Sequence, residues 1–104
     1  MMINALYRWF VESRDRQKTL KQRLQHARNS QPGNEALHDP IEDDAKYMVA
    51  IALADALAAD DLADAPRNRG FCYLYWKTKQ RILKETFEIT WFSPCDMNPS
   101  IRFD

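Results

Sequence analysis

The stretch IALADALAADDLADA, residues 51–65, decides how this chain folds. Seven of its fifteen residues are alanine and none is aromatic, although the chain carries three tryptophans elsewhere. Its apolar residues recur at intervals of three and four, which is typical of a helix. With Ala50, positions 54 and 58 form one row of methyl groups, and such a row lets the axis of a neighbouring helix come close. The pattern therefore predicts a closely packed, alanine-rich helix.

Prolines divide the rest of the chain around this helix. Pro32, Pro40 and Pro66 separate three stretches of helical periodicity, because proline is poorly tolerated inside a helix. We predict one domain with helices at about 3–29, 40–64 and 70–88, followed by a tail over roughly 89–104. The fold class is all-α: a small three-helix bundle with an alanine-rich central helix and a partly extended C-terminal tail.

Two parts of this prediction rest on local signals. The aromatic stretches 71–76 and 87–92 would also suit strands, but the periodicity continues between them without turn residues and favours a helix. DPIE at 39–42 and SPCD at 93–96 both place a capping residue before a proline and an acid three positions later. Each of these motifs predicts the start of a helical turn.

The second helix is apolar around most of its circumference. Met48, Val49 and Leu53 lie opposite the alanine row, together with Ala52 and Ala56. A helix of this kind is normally covered on all sides, so either the same chain covers both faces or a second subunit covers one. The second interpretation predicts a homodimer. The interface residues would be Tyr47, Ala50, Ile51, Ala54, Leu57, Ala58 and Leu62.

The net charge of zero is the sum of unequal parts. Residues 1–31 carry seven basic and two acidic side chains, residues 32–66 one and nine, and residues 67–104 seven and four. An acidic helix between two basic ones orients the helices, but basic faces can also bind nucleic acid. The nucleic-acid-binding candidates are Arg14, Arg16, Lys18, Lys21, Arg23, Lys77 and Arg81. The pI is near 6.7, whereas most nucleic-acid-binding domains are strongly basic. Binding to a protein is therefore the first hypothesis, and binding to nucleic acid is the alternative.

Catalytic and metal chemistry have few candidates. His38 and Glu42 are the weak metal candidates in the acidic segment HDPIEDD, but Pro40 marks a helix start there, and capping accounts for the acids. Asp55 interrupts an apolar helix and could serve in acid–base chemistry; we interpret it as a polar edge. Cys72 and Cys95 lack a CxxC spacing and are expected to be free thiols. We therefore assign no catalytic residue, metal or cofactor; a small enzyme or metal-binding protein using the acidic segment is the second alternative.

Composition restricts the function further. Two glycines in 104 residues exclude glycine-rich phosphate-binding loops. No run approaches the ~18 apolar residues of a membrane span, and the N-terminus lacks a signal-peptide pattern, so we expect a cytoplasmic protein. The sequence predicts a non-catalytic macromolecular-interaction protein (an adaptor, regulator or inhibitor) that associates with itself or another protein through its alanine-rich helix.

Overall fold

A computed structural model describes residues 5–33 and 36–103, without the side chains of residues 5 and 7–10. The described residues form helices and turns and contain no strand, which confirms the all-α fold class. The predicted helix start near residue 3 lies outside them. In chain order the elements are α1 (Ala5–Ser30), two 3-10 turns (Pro40–Asp43 and Ala45–Tyr47), α2 (Met48–Asp61), α3 (Phe71–Phe87) and α4 (Pro94–Met97).

The segment predicted as one helix over about 40–64 is divided. Asp39 caps the first 3-10 turn, and its carboxylate accepts a hydrogen bond from the Ile41 N–H. Asp44 then adopts an extended backbone, and its carboxylate accepts from the Lys46 N–H to cap the second turn. Because short acidic side chains compete with the helix for backbone N–H groups, two capped turns precede α2 in place of one continuous helix.

The alanine row packs inside the chain, between α2 and α3. Ala54 and Ala58 are fully buried in a core with Ile82 and Leu83 of α3, and Trp91 closes this core from the tail. Residues 71–76 are helical, so the third segment is the predicted helix. It ends where Glu88 takes a left-handed conformation with φ 55°, and the chain then runs without regular structure to α4.

The first helix packs on the tail. Ala27 is buried with Phe92 and Met97, and Leu20, Leu24 and Leu37 pack around them. The tail is held in place by α4, which begins with the predicted capping box: the Ser93 hydroxyl accepts from the Asp96 N–H, and the Asp96 carboxylate accepts from the Ser93 N–H. Consecutive residues of the tail, Trp91 and Phe92, therefore enter two different apolar clusters.

None of the described helices is long and apolar enough to cross a membrane.

The alanine row gives a stability prediction. We expect Ala54→Leu to lower the free energy of unfolding by ~1–3 kcal/mol, because the added atoms overpack a fully buried site. Ala59→Leu is the matched control: Ala59 is exposed on the same helix and lies outside the buried core, where substitutions change stability by about 0.5 kcal/mol or less. Urea denaturation followed by circular dichroism measures both, and equal losses would contradict the packing described here.

Candidate functional site

One side of α2 forms an exposed apolar surface. Val49 is 72% exposed, Met48 60%, Leu53 49% and Leu57 46%. With the exposed Ala52 and Ala56, these six residues are called the exposed row. Val49, Ala52, Leu53 and Ala56 lie opposite Ala54 and Ala58, and Met48 and Leu57 lie at the two edges of this surface. The described part of the chain therefore covers one face of α2 and leaves the other to solvent.

Charged residues stand at both ends of the exposed row. Val49, Leu53, Ala56 and Asp60 follow one another at steps of four, three and four, which places them on the same side of α2. Lys46 lies three positions before Val49, in the 3-10 turn that leads into the helix. Lys46 and Asp60 are both exposed. The row is therefore apolar along its length, with a cation at its N-terminal end and a carboxylate at its C-terminal end.

Most of the predicted interface residues face the interior of the chain instead. Ala54 and Ala58 are fully buried, and Tyr47, Ala50 and Ile51 pack against the same core. Leu62 is half-buried, and Leu57 is exposed. Another molecule that binds α2 must therefore contact the exposed row, which shares only Leu57 with the predicted set.

A buried carboxylate joins α1 to the tail. The Asp39 side chain is fully buried, and its Oδ2 lies 2.6 Å from Arg23 Nη1. The same oxygen accepts from the Phe92 N–H, and Arg23 Nη1 also donates to the Thr90 carbonyl. Sequence reasoning assigned Asp39 to capping and Arg23 to nucleic-acid binding. In the folded chain they form an internal ion pair.

A second polar centre joins α2 to α3. The Asp55 Oδ1 accepts from the Tyr75 hydroxyl at 2.9 Å and lies 3.0 Å from Lys79 Nζ. Lys79 is buried, with its amine 4.3 Å from the centre of the Trp91 ring. Burial, followed by the hydrogen bond to Asp55 and its negative charge, raises the pKa of Tyr75 to about 12. The candidate acid–base residue is thus engaged in holding two helices together.

The nucleic-acid-binding candidates do not form one free surface. Arg16 pairs with Asp96, Arg23 with Asp39, and Arg81 with both Asp61 and Glu85. Exposed positions are also occupied by Arg14, Lys18 and Lys21 on α1 and by Lys77 on α3. Nucleic-acid binding stays a prediction, with fewer available cations than the sequence suggested.

The metal candidates form a pair. His38 Nε2 lies 2.6 Å from Asp43 Oδ2, while Glu42 is half-buried. The residues that the structure describes bring together no group of three or more His, Cys, Asp or Glu side chains that could hold an ion. Cys72 and Cys95 are free and half-buried.

An open groove lies between α1, α3 and the tail. It encloses about 420 Å³ and mixes both charge signs with an indole ring. Its lining includes Thr19, whose hydroxyl donates to the Asp15 carbonyl, and contains no histidine or cysteine. The groove is lined by Glu12, Asp15, Arg16, Thr19, Gln80, Lys84, Ile89, Thr90 and Trp91.

The buried ion pair gives a second prediction. We expect Arg23→Met to lower the free energy of unfolding by ~3–5 kcal/mol, because it leaves the Asp39 carboxylate buried without its cation. Arg81→Met removes exposed ion pairs and should cost ~0–1 kcal/mol. Adding Asp39→Asn to Arg23→Met should recover part of the loss. Urea denaturation tests the set; similar losses for both arginines would contradict the role given to Asp39.

The raised pKa of Tyr75 gives a third prediction. An unfolded tyrosine loses its proton near pH 10, whereas folded Tyr75 keeps it to about 12. The unfolded chain therefore binds fewer protons in this range, and the free energy of unfolding should fall as the pH rises from 10 to 12. Asp55→Asn should lower the pKa of Tyr75, but not to its ordinary value, because the burial remains. Ultraviolet titration of tyrosinate, with Tyr75→Phe subtracted, measures both values; an ordinary pKa in the unsubstituted chain would contradict the prediction.

Comparison of the chain with family models, curated proteins and solved structures finds no significant match.

Proposed function

We propose that this protein is a non-catalytic macromolecular-interaction protein (an adaptor, regulator or inhibitor) that binds another polypeptide through the exposed row of α2. The observation that carries the proposal is the exposure of Val49, Leu53 and Leu57, which follow one another at steps of four on one side of α2, with Met48 exposed at its edge. Single exposed apolar residues are ordinary on protein surfaces, but a contiguous patch marks an interaction site.

The energetics of the exposed row fit a reversible contact. Full burial of an exposed Val, Leu or Met side chain contributes about 1.5–3 kcal/mol. The four large residues of the row are roughly half exposed or more, so covering them contributes about 3–6 kcal/mol. Association itself costs about 4–15 kcal/mol. The row alone therefore gives weak binding, and neighbouring polar contacts must supply the rest.

The rest of the molecule supports a binding role over a catalytic one. The Asp55 carboxylate is held by Tyr75 and Lys79, and the Asp39 carboxylate is buried against Arg23. Both acids use their charge within the fold. The large side chains of the exposed row are not part of the core, because they point away from the core residues of the same helix.

The test compares two leucines of nearly equal exposure, Leu53 at 49% and Leu74 at 46%. Glutamine keeps helix propensity and adds no charge, so Leu53→Gln and Leu74→Gln should both fold with little loss of stability. Each chain and the unsubstituted protein are immobilised and exposed to extract of the expressing cells, supplemented with a tagged copy of the chain.

We expect Leu53→Gln to lose a bound polypeptide that the unsubstituted protein and Leu74→Gln both retain. Circular dichroism and thermal unfolding confirm that all three chains are folded. If all three retain the same polypeptides in the same amounts, the exposed row is not a binding surface and the proposal fails.

A further inference from the structure

We infer that the molecule covering the exposed row is a second copy of this chain, whose α2 lies antiparallel to the first about a two-fold axis at Leu53. The inference rests on the proposed function and identifies its partner. Two copies related by a two-fold axis present the same surface to each other, so the row must be complementary to itself when it is reversed.

The spacing of the charged residues meets this requirement. Lys46 and Asp60 each lie seven positions from Leu53, on opposite sides of it. At 1.5 Å per residue, Asp60 stands about 10.5 Å from the axis along α2. Lys46 lies in the 3-10 turn directly before α2, where the rise is about 2.0 Å per residue, and it therefore stands about 11.5 Å from the axis. In the antiparallel pair, Lys46 of one copy therefore lies at the level of Asp60 of the other, and this contact occurs twice.

Neither Lys46 nor Asp60 forms an ion pair with another residue in the described part of its own chain. The Lys46 amine lies 5.4 Å from the centre of the Tyr47 ring and pairs with no described carboxylate. Asp60 forms no described ion pair, whereas its neighbour Asp61 pairs with Arg81. Asp60 also lies in the last turn of α2, which contains no basic residue, and a negative charge there opposes the helix dipole. Lys46 of a second copy would neutralise it.

The apolar residues between these charges fit the same arrangement. Val49 of one copy lies at the level of Leu57 of the other, and Leu53 faces its own copy across the axis. Ala52 and Ala56 lie beside them, where small side chains allow the two axes to approach to about 8 Å. Because α2 has 14 residues and is about 21 Å long, the contact is small, and we expect a dimer that dissociates in the micromolar range or weaker.

Charge reversal tests the inference. Lys46→Asp places two carboxylates at each contact, and Asp60→Lys places two amines there. Each substitution improves the charge at its own end of the helix, since anions are favourable near the N-terminus and cations near the C-terminus. Weaker association of either variant therefore does not come from loss of the fold. An equimolar mixture of the two variants restores an opposite pair at both contacts.

Sedimentation equilibrium over a concentration series measures the association. We expect the unsubstituted chain to dimerise, each variant alone to associate at least tenfold more weakly, and the mixture to recover the original affinity as a heterodimer. A monomer at concentrations on the order of 1 mM, or a mixture no stronger than its components, overturns the inference. The proposed function survives that result if Leu53→Gln still loses a different polypeptide, and it fails with the inference if nothing depends on Leu53.

Discussion

The buried Asp39 carboxylate is the constraint on which the arrangement of the helices depends. A carboxylate can be buried only where cations and N–H donors satisfy it, and Asp39 takes these from Arg23 of α1 and from the backbone of Ile41 and Phe92. The interaction thus fixes α1 against the first 3-10 turn and the tail. Because the apolar seam of α1 is used there, with Phe92 and Met97, the outer side of α2 is left exposed. The exposed row is a consequence of where α1 is held.

The sequence predicted the features that depend on neighbouring residues. The capping box at Ser93 forms as predicted, and the periodicity of the third segment gave the helix that became α3. The ion pair of Asp39 escaped prediction because its partners lie 16 and 53 positions away, and a local capping role already explained the residue. The burial of Lys79 was also not predicted, although a local signal for it exists. Its spacing from Cys72, Tyr75 and Trp76 puts it on the apolar side of α3, and that spacing was the available signal for its burial under Trp91.

The choice between the two faces of α2 could not be read from the sequence. Both faces are apolar, and the row of alanines predicted close packing without naming the neighbour. In the fold, α3 and the tail supply the large side chains Ile82, Leu83 and Trp91. A face of methyl groups fits against such residues, because the interior has a fixed packing density. The larger Val49 and Leu53 are then directed outward, so the residues best suited to a close contact lie inside the chain.

The acidic character of the middle segment is compatible with the proposed self-association, because repulsion between exposed charges weakens with the distance between them. Residues 32–66 carry nine acidic side chains and one basic, and two such segments repel each other overall. Salt screens exposed charges more than about 8 Å apart at physiological ionic strength, so the net charge of each segment matters less than the groups that come into contact. At the ends of the exposed row those groups are an amine and a carboxylate. In the proposed dimer, a general repulsion with two local attractions disfavours other registers of the two helices more than the paired one. The position of Lys46 relative to Asp60 is therefore the source of specificity in that proposal.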